Sequence, residues 1–375
     1  MRRTPALILG GGPAGAACAI MLARAGRPHL LVERSMVTGD AICGGFLSWQ
    51  TIAALESLGV AADLLNPVAV TQVRLFHKDQ MAQAPLPKPG RGVSRHRLDT
   101  IMLARAIAAG TVVERGLGVT QVEGTIADFR GGSMVAAEAL FLATGKHDVR
   151  GMARPSEARG HDPTLGIRIR LAPSPRLASL IGDAVELHLV DRGYAGLVLQ
   201  EDGSANLCMA VHRSRLTSAG TIPALIAEMA RECPPLGERL EHESLGNVDA
   251  IANVPYGWRA TGTQAGVFRL GDQAGVIPSL AGEGMGIAVA SGVRAGLAYV
   301  AHGPAGAMRY QRELARALAR PMALAGLIRR AGESSVAAPA LLALARTAPY
   351  LVHAAARWTR ISGSRVDEGV HSNES

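Results

Sequence analysis

An α/β fold with a largely parallel sheet is predicted by three features of the 375-residue chain. An apolar run from Ala6 to Leu9 ends in Gly10-Gly11-Gly12; Ala14 to Ala25 have helical composition; and a second apolar run, Leu30 to Val32, closes on Glu33. Strand, glycine turn, helix and strand in that order make a β-α-β unit, the connection that parallel strands require. Hydrophobic residues make up 48% of the chain, enough to build a core and too many for wholesale disorder.

The remaining elements follow along the chain. The spacing of Ile52, Leu55, Leu58 and Leu64 predicts a helix from Thr51 to Leu65, and Pro85, Pro87 and Pro89 predict a linker or crossover after it. A helix from about Leu98 to Ala109, short strands around Val112 and Val119, and a strand from Ala139 to Ala143 return the chain to the first sheet. Between Gly151 and Arg259 strands and turns dominate, and Tyr194 to Gln200 and Ala205 to Val211 flank a Glu201-Asp202-Gly203-Ser204 turn as a hairpin. Val267 to Leu270 form another strand, closed by Gly271-Asp272, and a glycine-rich loop enters a helix near Gly284. Beyond Ala305 the chain is rich in alanine, leucine and arginine, and Pro321, Pro339 and Pro349 divide it into several helices before a polar tail. The expected organisation is a discontinuous dinucleotide-binding domain (1–72, 92–150, 261–305), an inserted antiparallel-sheet substrate domain (73–91, 151–260), C-terminal helices (306–361) and a flexible tail (362–375).

A net charge of +8 suits nucleic acid, anionic lipid or an anionic cofactor, but aromatic residues make up only 3%, too few for base-stacking platforms, so no nucleic-acid partner is expected. Cys18, Cys43, Cys208 and Cys233 form no C-x-x-C pair, which fits a reducing cytoplasm, and the eleven histidines lack metal-ligand spacing, so no metal is expected. Met1-Arg2-Arg3 and the apolar run after it resemble a signal segment, but the glycine turn interrupts that run and favours a strand and helix. Arg309, Arg312, Arg316 and Arg320 recur at helical steps, a basic face that suits solvent or peripheral contact with the inner membrane surface. Pro349-Tyr350-Leu351-Val352 and Arg357-Trp358 suit a cap over a hydrophobic cavity or a bilayer contact.

Gly10, Gly12 and Gly15 form G-x-G-x-x-G between strand and helix, the context in which a Rossmann-like fold cradles a pyrophosphate. Gly10 allows the turn, Gly12 allows close approach of the phosphates, and Gly15 allows the helix to pack on the strand; Pro13 and Ala14 open the helix. Glu33, followed by Arg34, accepts from ribose hydroxyls and disfavours a 2′-phosphate, which leaves FAD or NAD.

The late segment Gly271-Asp272 through Gly282-Glu283-Gly284-Met285-Gly286 resembles the FAD-binding fold shared by para-hydroxybenzoate hydroxylase-like monooxygenases and geranylgeranyl reductases. The resemblance implies FAD, with Gly271 and Asp272 at the ribitol or pyrophosphate and Gly282, Gly284, Met285 and Gly286 along the flavin edge. It also makes Arg95, in Ser94-Arg95-His96-Arg97-Leu98-Asp99, a phosphate-side residue, and places backbone of Ala143 and Gly145 near the adenosine half. Cys43-Gly44-Gly45 is similar to the reductases' C-G-G segment, which makes Cys43 the candidate catalytic residue. Tyr194 and Asn206 stand where the reductases carry substrate-side residues, but Gly196 replaces their tryptophan and Ala143-Thr144-Gly145-Lys146-His147-Asp148 lacks the monooxygenases' Asp-Gly pair.

The expected activity is an FAD-dependent oxidoreductase, monooxygenase-like, hydroxylating a hydrophobic small molecule. The alternatives are geranylgeranyl-reductase-like saturation of a lipid or isoprenoid double bond, and a non-catalytic flavin-binding or redox-sensing protein. No second G-x-G-x-x-G is present, so NADH or NADPH, or an electron-donor protein, would deliver electrons without a separate nucleotide domain.

Overall fold

The computed structural model describes residues 1–361; the segment expected as a tail, 362–375, lies outside the described residues. Two sheets organise the chain. In the first, Val112–Arg115, Leu30–Glu33, Arg2–Leu9, Met134–Leu142 and Val267–Arg269 run parallel, and Ile126–Phe129 and Val119–Glu123 extend it as an antiparallel meander. Burial on both faces of the first strand explains why its Ala6 to Leu9 half is apolar at every position. Ile8 packs into the core beneath the helices, while Leu7 and Leu9 face the opposite core with Val122 and Phe129.

The second sheet runs Val248–Val254, Thr164–Leu171, Ala205–His212, Gly193–Leu199, Ala184–Val190, Val70–His77, Gln80–Gly92 and Phe46–Leu47. The expected hairpin is present in register, Leu199 opposite Ala205 and Tyr194 opposite Ala210. The proline-rich segment expected as a linker is instead strand: Pro85, Pro87 and Pro89 lie within Gln80–Gly92, where the pairing shifts register between Val70 and Gln72. That irregularity spares the ladder the hydrogen bonds that proline has no N–H to make. Phe46–Leu47 also joins this sheet, pairing with Gly92 and Arg91.

The helix expected from Thr51 to Leu65 is two, Trp49–Ser57, capped by the Ser48 hydroxyl, and Ala62–Leu65. Gly59, at φ 84°, turns the chain between them. Pro321 does not break its helix; Ala307–Gly332 continues through it, whereas Pro339 and Pro349 sit in the first turns of Ala338–Thr347 and Pro349–Trp358, where their missing N–H is harmless. Arg309, Arg312, Arg316 and Arg320 are exposed on Ala307–Gly332, opposite the buried Tyr310, Leu314 and Leu318. The stretch Gly284–Gly332 is apolar and long enough by composition to cross a membrane, but it comprises packed helices and 61% of its most apolar window is buried in protein.

One contact fixes the site. The helix Gly284–His302 lies against Pro13–Arg24 through Gly292 and Gly296, where a Cβ would stand 2.2 Å from the Ala14 carbonyl oxygen and 2.6 Å from Met21 Cβ. Without side chains at those two positions the backbones close together, and the N-termini of both helices open on one cavity.

Candidate flavin and substrate site

At the first N-terminus Gly10 adopts φ 111°, and a Cβ there would stand 2.5 Å from the Ala143 carbonyl oxygen. A Cβ on Gly15 would stand 1.9 Å from the Gly10 carbonyl oxygen, so helix and turn touch directly. Gly12 caps the helix without a side chain and lines the cavity with Pro13 and Ala14. The first-turn N–H groups of this helix have no side-chain cap and form an anion seat. Glu33 is pinned beside the turn, one carboxylate oxygen accepting from Gly11 N–H at 2.7 Å and the other from Ser35 N–H at 2.9 Å. Arg34 is exposed and donates to His147 Nε2 at 2.9 Å.

Arg95 lines the cavity next to Gly12, with its Nη2 3.3 Å from the place of a Gly12 Cβ. Its fork donates to both Asp99 oxygens at 2.8 and 2.6 Å. Burial opposes charge on Arg95, but Asp99 outweighs it and holds the guanidinium above its usual range. Ser94 caps the helix Arg95–Ala108 and gives its N–H and hydroxyl to Glu201, at the hairpin turn of the second sheet, at 2.9 and 2.5 Å.

Opposite, Asp272 follows Gly271, whose N–H donates to Ser291 at 2.8 Å. Lys146 Nζ lies 3.1 Å from Asp272 Oδ2, and that carboxylate raises the ammonium's pKa against the opposing effect of burial. Arg154, which sequence reasoning missed, locks the two loops together: its guanidinium donates to the carbonyls of Asp272 at 2.9 Å and Lys146 at 2.6 Å and pairs with Asp148 at 2.9 Å. At the second N-terminus Gly282 is left-handed (φ 64°), Gly284 has no protein atom within 4 Å of its Cβ position, and Met285 is buried at the wall. A Cβ on Gly286 would meet Glu283 Oε1 at 2.4 Å, so this glycine makes room for a buried carboxylate. Glu283 accepts from Ser48 at 3.1 Å and from Arg360 at 3.0 Å, and burial pushes its pKa up to about 7.

The cavity, of about 520 Å³, continues into an apolar chamber between the second sheet and the C-terminal helices, walled by Leu187, Leu197, Leu341, Leu344, Leu351 and Val352. Its polar side carries one cluster: the Tyr194 and Tyr256 hydroxyls both meet the Ser279 hydroxyl, Tyr256 at 2.5 Å. Burial raises the pKa of both phenols and pushes Cys208 up to about 12, so these groups stay protonated. Cys43 lines the same cavity. Asn206 is not among the lining residues; its amide donates to the Cys43 carbonyl at 3.0 Å, so it holds the Cys43-Gly44-Gly45 loop. Trp358 lines the chamber while remaining 69% exposed.

Residues 3–151 match a family described as an FAD binding domain. The chain is 30% identical over 128 residues to a menaquinone reductase of Mycolicibacterium smegmatis, a match covering 33% of this chain and 31% of that protein. The chain thus spans about a third of this curated relative's length. In fold it is similar to the flavin-dependent brominase Bmp2 (TM-score 0.76, 17% identity, 95% and 93% of the two chains). It is also similar to a geranylgeranyl bacteriochlorophyll reductase-like protein of Thermoplasma acidophilum (TM-score 0.69, 18% identity, 94% and 98%). The chain is an FAD-dependent oxidoreductase by its match to the FAD binding domain, and over nearly its whole length it shares the fold of these flavin-dependent enzymes.

FAD fits this flavoprotein. The uncapped first helix and Arg95 would take the diphosphate, Glu33 the adenosine ribose, Asp272 the ribitol side, and the second N-terminus the flavin edge. The structure brings Gly12, Arg95, Ala143, Gly145, Asp272 and Met285 to one cavity, although 273 residues separate the first from the last. Lys146, in the segment that lacks the Asp-Gly pair, completes the cofactor side through Asp272. A Lys146→Met variant leaves Asp272 unpaired beside the anionic cofactor, and FAD affinity is expected to fall by roughly tenfold, measured by fluorescence titration of the apoprotein.

Proposed function

We propose that this flavoprotein hydroxylates an amphipathic small molecule, holding a phenol-like head beside the flavin and an alkyl tail in the chamber. The observation that carries this reading is the Tyr194–Ser279–Tyr256 hydroxyl cluster, whose Ser279 stands three residues before Gly282 and which faces a largely apolar chamber. Bound FAD would supply the redox chemistry, with NADH or NADPH, dioxygen and a proton consumed as a C–H becomes C–OH, releasing water and the oxidised nucleotide. Tyr194 and Tyr256, kept neutral by burial, hydrogen-bond the substrate's oxygen and fix which carbon faces the flavin. The aliphatic wall of Leu341, Leu344 and Leu351 binds the tail and excludes water.

A second reading, saturation of an isoprenoid double bond, is favoured by the Cys43-Gly44-Gly45 loop that Asn206 holds at the cavity and by the likeness to a menaquinone reductase. The test incubates the FAD-loaded protein and NADPH with a long-chain alkylphenol in air, and with an isoprenoid quinone under nitrogen. Oxygen-dependent gain of one oxygen atom by the phenol supports the first reading; anaerobic gain of two hydrogens by the quinone's chain replaces it with the second.

Gly196 gauges the chamber. A Cβ there has its nearest neighbours at 3.6 and 3.7 Å, so a side chain enters without disturbing the sheet and projects where the cavity is lined. Gly196→Trp is expected to lower kcat/KM for the long-chain substrate by about tenfold or more with flavin content unchanged, read by steady-state kinetics.

A further inference from the structure

Tyr256 also borders a second cleft, of about 970 Å³, whose charged lining is Arg192, His212, Arg259, Arg329, Arg330 and Glu333. Four arginines face one carboxylate there, and that carboxylate is fully engaged. Glu333 Oε1 takes Arg329 Nε at 2.6 Å and Oε2 lies 3.2 Å from His212 Nε2. Arg329 also donates to Thr164 at 2.7 Å and stacks over the Tyr256 ring, and Arg192 is held by Asp191 and Ser214, each at 3.0 Å. Among the described residues, Arg259 and Arg330 have no carboxylate partner and the buried Arg259 Nε has no acceptor. A guanidinium N–H withdrawn from water without an acceptor is unfavourable unless a ligand supplies one.

The two free guanidiniums come from different elements. Arg259 is fixed by backbone pairing with Gly275, and Ala260 N–H bonds the Ala274 carbonyl at 2.9 Å, so it rides on the segment that follows Asp272. Arg330 stands in the last turn of the helix Ala307–Gly332 and lines the cleft beside Gly326. Two planar donor forks on separate walls, with Arg192 at a third, suit an anion carrying oxygens along a short chain better than a single carboxylate. We propose that this cleft binds the diphosphate group of a small organic molecule. Pro278 lines the cleft and the next residue, Ser279, belongs to the hydroxyl cluster of the chamber, so an occupant lies one residue from the substrate site.

The test is calorimetric titration of the FAD-loaded protein at low salt with inorganic pyrophosphate, ADP and NADPH, the cofactor seat being already filled. Saturable binding of all three at one site is expected, with the Arg259→Ala, Arg330→Ala double variant weakening each by roughly tenfold or more and leaving flavin absorbance and circular dichroism unchanged. The double lysine variant, keeping charge without the fork, should recover part of that loss. NADPH binding about tenfold tighter than pyrophosphate would identify a dinucleotide as the occupant; equal affinities would identify the phosphate chain as all that is recognised. Absence of saturable binding by any of the three at millimolar concentration, or binding unchanged in the alanine variant, would overturn the proposal. None of these readouts requires turnover, so the outcome is independent of whether the protein hydroxylates or reduces its substrate.

Discussion

A Gly15→Val variant is expected to be recovered without bound flavin. The position has no slack: even the first carbon of a side chain would stand 1.9 Å from the Gly10 carbonyl oxygen and 3.2 Å from Ile8 Cγ2, and the nearer obstacle is backbone. Helix and strand must separate, at a cost of about 1–3 kcal/mol for overpacking, and the separation carries the N–H groups at Gly12 to Gly15 away from the diphosphate. FAD affinity should fall by roughly 100-fold or more, read as the ratio of flavin to protein absorbance and by titration of the apoprotein. Gly12→Ala is the informative companion. Its Cβ would meet side-chain ends alone, Arg95 Nη2 at 3.3 Å and Asp99 Oδ2 at 4.0 Å, so the apoprotein should keep its melting temperature while flavin affinity drops, because the obstructed space is the ligand's. A Gly15→Val protein with full flavin content would remove the basis for seating FAD at this turn.

The contrast between these glycines shows which parts of the site a sequence discloses. Turn, helix start and terminal acid lie within 24 residues, from Gly10 to Glu33, and the conformations they need are local, so residue type and order carry them. Arg154, Glu201 and Glu283 were illegible for the opposite reason. Arg154 bonds carbonyls on two loops, Glu201 holds the helix cap Ser94 from another sheet, and Glu283 meets residues 235 and 77 positions away. Only the assembled fold brings those partners together, and an isolated charged residue in a sequence reads as solvated. The Gly282-Glu283-Gly284 pattern did carry a partial signal, a carboxylate among glycines at a helix start, and it was absorbed into the cofactor loop.

Proline misled for a related reason. Pro85, Pro87 and Pro89 do interrupt the ladder, but next to a register shift the interruption is tolerated and the strand continues to Gly92. Pro321 is buried within a 26-residue helix whose inner face carries Tyr310, Leu314 and Leu318, and that tertiary packing outweighs one missing backbone hydrogen bond. Asn206 was expected at the substrate and is a positioning residue instead, since strand register places its amide on the Cys43 carbonyl; period-2 alternation gives the face but not the partner.

Glu283 yields the second large effect, one of pH. Burial is the main cause that lifts its pKa from the ordinary 4.5 to about 7, ahead of Arg360, the Ile361 N–H and Ser48, which act the other way. Between those two values the folded protein holds a proton that the unfolded chain releases. Stability is therefore expected to decline as pH rises from about 4.5 to about 7 and to level off above, with a full span of about 3 kcal/mol from this group alone. Carboxylates with depressed pKa values, such as Glu186 near 2, act in the opposite sense but below this window. In Glu283→Gln the decline should vanish, with denaturant midpoints at pH 5 and pH 7.5 drawing together, while wild type keeps the difference. His212 is the competing explanation: its bond to Glu333 raises its pKa, so its stabilisation is also lost as pH rises. A Glu283→Gln protein that retained the wild-type slope would assign that slope to His212 and leave Arg360 bound to a carboxylate that is ionised throughout the window.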